Sequence, residues 1–157
     1  MALGLRVRKG ELTDTTGHLV SRYRLPRPRN ALAETVRTQA SAAMDVSDGL
    51  AADLAKLCRA SGVSADIEVA RVPLSDATAR ALASDGKLIE PILTGGEDYE
   101  ILCAVRPDAA AQFREAAAKV GVPVSDIGRF VAGDAPPRFL DRAGQPMSFR
   151  RRGFSHF

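Results

Sequence analysis

The sequence predicts an α+β domain, a mixed sheet carrying a layer of helices, and three observations carry that reading. Helical and strand periodicities alternate along the 157 residues without a regular βαβ repeat. Hydrophobic residues make up 45% of the chain, enough for a core without disulfide or metal staples. No run approaches the roughly 20 apolar residues of a membrane span. The opening MALGLRVRKG has early charge and no apolar centre, so it is not a secretory signal, and a soluble, cytoplasmic protein is expected.

Residues 1–24 hold a cut-off apolar segment, ALGLRV, and a helical pattern through Leu19, Val20 and Tyr23. PRPRN then stops the helix, because Pro26 and Pro28 force extended backbone, so a boundary is placed at residues 28/29. Asn30 is positioned to cap a helix over Ala31–Thr38. A short strand follows at residues 41–46. Leu50, Leu54, Leu57 and Cys58 recur at helical spacing up to the Gly62 stop. Ile67 and Val69 alternate as in a half-buried strand, and Ser75 caps a short helix. LIEPIL leads into TGGEDYE and the apolar strand YEILCAV, and an alanine-rich helix closes at Gly121. Short strands and turns complete the chain.

Composition narrows the function. The net charge is +3, but the arginines are scattered apart from residues 22–29 and 150–152. Six phenylalanines, two tyrosines and no tryptophan leave no stacking platform, so a solvated basic surface is expected, not a nucleic-acid groove. Cys58 and Cys103 lie far apart in apolar stretches, as small packed thiols do. There is no GxxxxGK or GxSxG motif, and His18 and His156 lie at opposite ends, so P-loop and serine-hydrolase chemistry lack support.

Three stretches can carry chemistry. In Asp45-Val46-Ser47-Asp48-Gly49 a strand gives way to a helix, whose terminal N–H groups attract phosphate oxygens. Two carboxylates there repel phosphate unless a divalent cation lies between, and Mg²⁺ accepts one or two carboxylates plus substrate phosphates. Ser47 can add a hydroxyl. The plainer reading is an ordinary helix cap by Ser or Asp. In TGGEDYE, residues 94–100, paired glycines permit positive φ and close backbone approach, while three acids in four residues precede a strand. A solvated turn explains the same letters. The closing RRGFSHF sets Phe154 and Phe157 beside His156, for docking into the core or for stacking on a planar ligand.

Together, SAAMDVSDGLAADLAKLCRASGV, LTGGEDYEILCAV, IGRF and GFSHF resemble the thiamine-monophosphate kinase family, within the aminoimidazole ribonucleotide synthetase-like superfamily. GHLVSRYRLPRPR resembles that family's connection between two domains. The resemblance implies the C-terminal domain of a kinase that moves the ATP γ-phosphoryl group onto thiamine monophosphate, giving thiamine diphosphate with Mg²⁺. It implies residues 1–28 as remnant and linker, and 29–157 as the domain. It also implies an absent N-terminal domain that dimerises in the family and supplies most metal aspartates, without which the chain is expected to be inactive. By motif position, Asp45 and Asp48 resemble magnesium ligands and Ser47 an ATP contact. Glu97 and Phe154 resemble contacts to the thiamine end, with Asp98 in support. A non-catalytic binding or assembly domain is the alternative, as is a superfamily relative acting on a purine intermediate. TGGEDYE and GFSHF argue against the last.

Overall fold

The computed structural model describes residues 2–150. Its order is α1 (Ala2–Arg8), α2 (His18–Arg24), α3 (Ala33–Gln39), β1 (Ala40–Asp45), α4 (Leu50–Ser61), β2 (Val63–Glu68), α5 (Asp76–Ser84), α6 (Ile89–Thr94), β3 (Ile101–Val105), α7 (Ala110–Lys119), β4 (Gly128–Ala132) and β5 (Arg138–Leu140). Short 3₁₀ turns precede α3 and α6 and follow β2. The class is α+β, but the strands divide into two sheets instead of one. β1 and β3 form an antiparallel pair, and the second sheet has the order β4-β2-β5, with β2 antiparallel to β4 and parallel to β5.

A lone pair of strands is marginal in water and needs a packed face. Helix α4 supplies it. Leu50, Leu54, Leu57 and Cys58 form the predicted stripe on α4 and meet Val46 and Leu102 near the first sheet and Ala65, Ile67 and Phe139 of the second. Leu54 is wholly buried, and Leu93 of α6 closes the same cluster. A second cluster joins Leu3 of α1 and Leu19 of α2 to Ala77, Ala81 and Leu88 beside α5. Residues 2–24 therefore pack against the helices that flank the sheets.

Several local expectations are met. Gly62 ends α4 in the left-handed region at φ 64°, and Gly121 does the same after α7 at φ 69°. The Ser75 hydroxyl accepts the Thr78 N–H at 3.2 Å, a true N-cap. Others are corrected. Asn30 caps nothing: it opens a 3₁₀ turn, and α3 begins only at Ala33 with no side-chain cap. LIEPIL, which carries no structural assignment in the sequence, is mostly helix α6, with Pro91 in the first turn, where its missing N–H costs nothing. β2 is not half-buried. Ser64, Ala65, Asp66 and Ile67 are all buried because β2 is the central strand of its sheet, and Val69 falls beyond it in a 3₁₀ turn.

Burying Asp66 in that strand requires a charged partner. Arg138, opposite it in parallel register on β5, donates Nε to Oδ1 at 2.7 Å and Nη2 to Oδ2 at 2.9 Å. This fork holds the Asp66 carboxyl below the usual aspartate range. Its stabilisation is complete above the unfolded value of about 3.9 and is lost as pH falls through the lower folded value. Asp66→Asn should therefore lower the urea midpoint at neutral pH, and the gap to wild type should close as titrations move into that acid window. Leu54→Ala should cost about 2–5 kcal/mol in the same assay, through lost burial and the cavity left beneath both sheets.

Candidate functional site

The strand β1 ends at Asp45, and the chain crosses to α4 through Val46-Ser47-Asp48-Gly49. Val46 turns inward and is buried, while Asp45 and Ser47 are exposed and Asp48 is half-buried. The expected cap is absent. Gly49 occupies the N-cap position, and neither Ser47 nor Asp48 bonds the first turn of α4 through its side chain. The stabilising carboxylate comes from inside the helix. Asp53, 0% exposed, reaches back one turn, and its Oδ2 accepts the N–H of Ser47 and the N–H of Asp48, each at 2.8 Å. The sequence reading missed Asp53. Its signal is a single acid within the apolar face of LAADLAKL, one turn after the pair it serves.

Those two bonds change the chemistry expected of the loop. The N–H groups of Ser47 and Asp48, expected to attract phosphate, are already occupied by a carboxylate of the chain itself. What the loop turns outward is the Asp45 and Asp48 side chains and the Ser47 hydroxyl. On the far side of Asp53, Lys56 donates its ammonium to Asp53 Oδ1 at 2.7 Å and also to Asp48 Oδ2. The two carboxylates, Asp48 foremost, hold that ammonium above its ordinary range.

The second motif lies against the first. The Glu97 N–H donates to Ser47 O at 2.7 Å and the Asp98 N–H to Val46 O at 3.1 Å, while the Val46 N–H donates to Glu100 O at 2.9 Å. Glycine makes this approach possible at two places. A Cβ on Gly96 would lie 2.2 Å from Ser47 O. One on Gly49 would lie 2.7 Å from Thr94 O, and Gly49 also holds φ 104°. Of the two things the paired glycines permit, the structure uses close approach and not positive φ. That conformation falls on Glu97 at φ 62° and Tyr99 at φ 55°, at a cost of order 1–3 kcal/mol each. The backbone bonds to the first loop hold them there. Glu97 ends exposed beside Ser47, and burial pushes the Asp98 carboxyl above the usual range. Glu100 is tied by Arg29, whose Nε and Nη2 donate to its two oxygens at 2.8 and 2.6 Å, with Arg22 at 3.5 Å. The linker after α2 is thus clamped to the same motif.

Four of the five candidate residues, Asp45, Ser47, Asp48 and Glu97, lie on this loop pair; Phe154 lies outside the described residues. Two concavities of about 420 and 330 Å³ lie elsewhere, one between the α1–α2 loop and α5, the other beside Val69–Leu74 and α6. Among the described residues no group of three or more His, Cys, Asp or Glu gathers at metal-binding range. The Cys58 and Cys103 thiols are unpaired, and burial raises both. No described helix is long and apolar enough to cross a membrane.

Residues 3–138 match the model of the AIR synthase related protein, C-terminal domain. The chain belongs to this family. The thiamine-monophosphate kinase of Caulobacter vibrioides is 41% identical to it over 98% of the chain and 44% of that protein's length. Among solved structures, the thiamine-monophosphate kinase of Stenotrophomonas maltophilia superposes with a TM-score of 0.77 at 29% identity, over 93% of this chain and 48% of that one. AaThiL complexed with AMPPCP and TMP superposes at 0.75 and 28% identity, over 99% and 47%. This C-terminal domain thus spans about half the length of the relatives it matches.

Gly96→Ala should lower stability by about 1–3 kcal/mol through overpacking against the Ser47 carbonyl. Gly86→Ala, where a Cβ meets nothing within 4 Å, should be near neutral in the same urea titration. Asp53→Ala should cost about 1–3 kcal/mol for each of the two amides it leaves unpaired.

Proposed function

We propose that this domain is the C-terminal half of a Mg²⁺-dependent kinase that transfers the ATP γ-phosphoryl group to thiamine monophosphate, giving thiamine diphosphate. The observation that carries the proposal is the contact between the two motif loops, which sets Glu97 beside the Asp45–Asp48 loop through the bond from the Glu97 N–H to Ser47 O. A phosphoryl acceptor and a phosphoryl donor must meet, and a residue for each lies on adjoining backbone. The kinases that match at up to 41% identity, and the complex of a 28% identical relative with AMPPCP and TMP, support the same reading.

The roles follow from what each side chain offers. Transfer between two polyanions is mainly a matter of positioning and charge neutralisation. Asp45 and Asp48 offer hard oxygen donors on one loop, which suits an ion that takes one or two carboxylates and completes its shell with water and phosphate oxygens. Mg²⁺ bound by them supplies charge neutralisation at the phosphates. With only these two carboxylates in place, the domain holds part of a metal centre, and the remaining ligands come from the other half of the protein. Ser47 contributes its hydroxyl to ATP and not its N–H, which Asp53 occupies. Glu97 faces the cationic thiamine end, with Phe154 as the stacking ring and Asp98 behind. Asp53 touches no reactant: it fixes the loop that carries the others.

Joined to its matching N-terminal domain and given ATP, Mg²⁺ and thiamine monophosphate, the chain should yield thiamine diphosphate. If the whole protein makes none, the assignment fails. The 157 residues alone should be inactive, since two carboxylates do not neutralise two polyphosphates. A second reading, a binding domain without catalysis, draws on the chain's span of about half the length of its relatives. Thiamine monophosphate binding to the whole protein, followed by calorimetry, separates the two. A kinase should lose Mg²⁺-dependent affinity in Asp48→Ala, whereas a metal-independent binder should be indifferent to it.

A further inference from the structure

Lys56 lies one turn beyond Asp53 on α4, half exposed, and its ammonium bridges two carboxylates of unequal freedom. Asp53 is fully buried and anchored by two backbone N–H groups, so it cannot leave. Asp48 is 33% exposed and sits on the loop proposed to meet the metal. Asp45, the other proposed ligand, has no ion pair among the described residues. Of the two proposed metal carboxylates, one is thus engaged by a cation the chain supplies itself.

We propose that Lys56 is a resident counter-cation of Asp48 that competes with the divalent ion, so that metal binding requires Lys56 to withdraw onto Asp53 alone. The inference rests on the metal reading of Asp45 and Asp48. The exchange is feasible because the lysine ammonium carries three donors on a flexible four-carbon stem, so its bond to Asp53 can persist while the bond to Asp48 breaks. Desolvation does not bar it either, as both Lys56 and Asp48 reach solvent. With the metal absent, the same contact keeps Asp48 from repelling Asp53 across the helix start. Lys56 is therefore a positioning residue that sets how readily the site loads.

The test is a Mn²⁺ titration of the chain joined to its matching N-terminal domain, followed by water-proton relaxation, which reads metal binding independently of turnover. Lys56→Gln keeps an N–H donor for Asp53 while removing the charge, and should tighten Mn²⁺ binding by about fivefold, the scale of an exposed ion pair. Lys56→Met should do the same, and Lys56→Arg should match wild type. Asp48→Asn should weaken binding, and adding Lys56→Gln to it should bring no gain. Equal or weaker binding in Lys56→Gln overturns the proposal, as does the same gain in the Asp48→Asn background, which would report a general field effect. If Asp48→Asn binds Mn²⁺ as wild type does, the metal assignment of Asp48 fails instead. No binding by any variant sinks both. Urea midpoints of Lys56→Gln and wild type verify that the variant is folded.

Discussion

The loop between β1 and α4 is held in place by a single buried carboxylate. Asp53 has no access to water, and burying it is tolerable only because two amides and an ammonium satisfy it. Satisfying it in turn fixes the path of Ser47 and Asp48. That path presents the Ser47 and Val46 carbonyls to which Glu97 and Asp98 bond, and those bonds hold the left-handed backbone of the second motif. The chain of dependence runs from one side chain inside α4 to the far motif, and Arg29 pins the end of that motif through Glu100.

The arrangement separates support from display. Groups that hold the loops, Asp53, Gly49, Gly96 and the Val46 side chain, are enclosed or face backbone. Groups with proposed chemical roles, Asp45, Ser47 and Glu97, are exposed, and Asp48 stands between the two sets. The proposed site is thus an open surface, on a domain that spans about half the length of its relatives.

Much of the fold was legible because its signals are local. The α4 stripe, the Gly62 stop and the Ser75 cap depend on residues within a turn or two of one another. The pairing of β2 with β5 was not legible, because Asp66 and Arg138 lie 72 positions apart and neither letter names its partner. The loop motifs were legible as motifs, and the structure brings their residues together. What sequence could not supply was direction. Cap rules look ahead of a helix for the capping side chain, and so passed over a carboxylate that reaches back from within it. Of the two uses the sequence offered for the paired glycines, the structure takes close approach at Gly96, and the positive φ falls instead on Glu97 and Tyr99, which no local signal marks.

Helix α4 has one further consequence, in the protein's motions. It packs on both sheets and carries Asp53, so its wholly buried Leu54 neighbour and the two loop amides share one fate. Amides in a surface loop ordinarily trade hydrogen with water through small local openings. Those of Ser47 and Asp48 are bonded instead to a buried carboxylate carried by the core helix itself. The display loop of this domain is thus tied to the helix on which both sheets pack, and hydrogen exchange there should be slower than in a loop whose amides face only water.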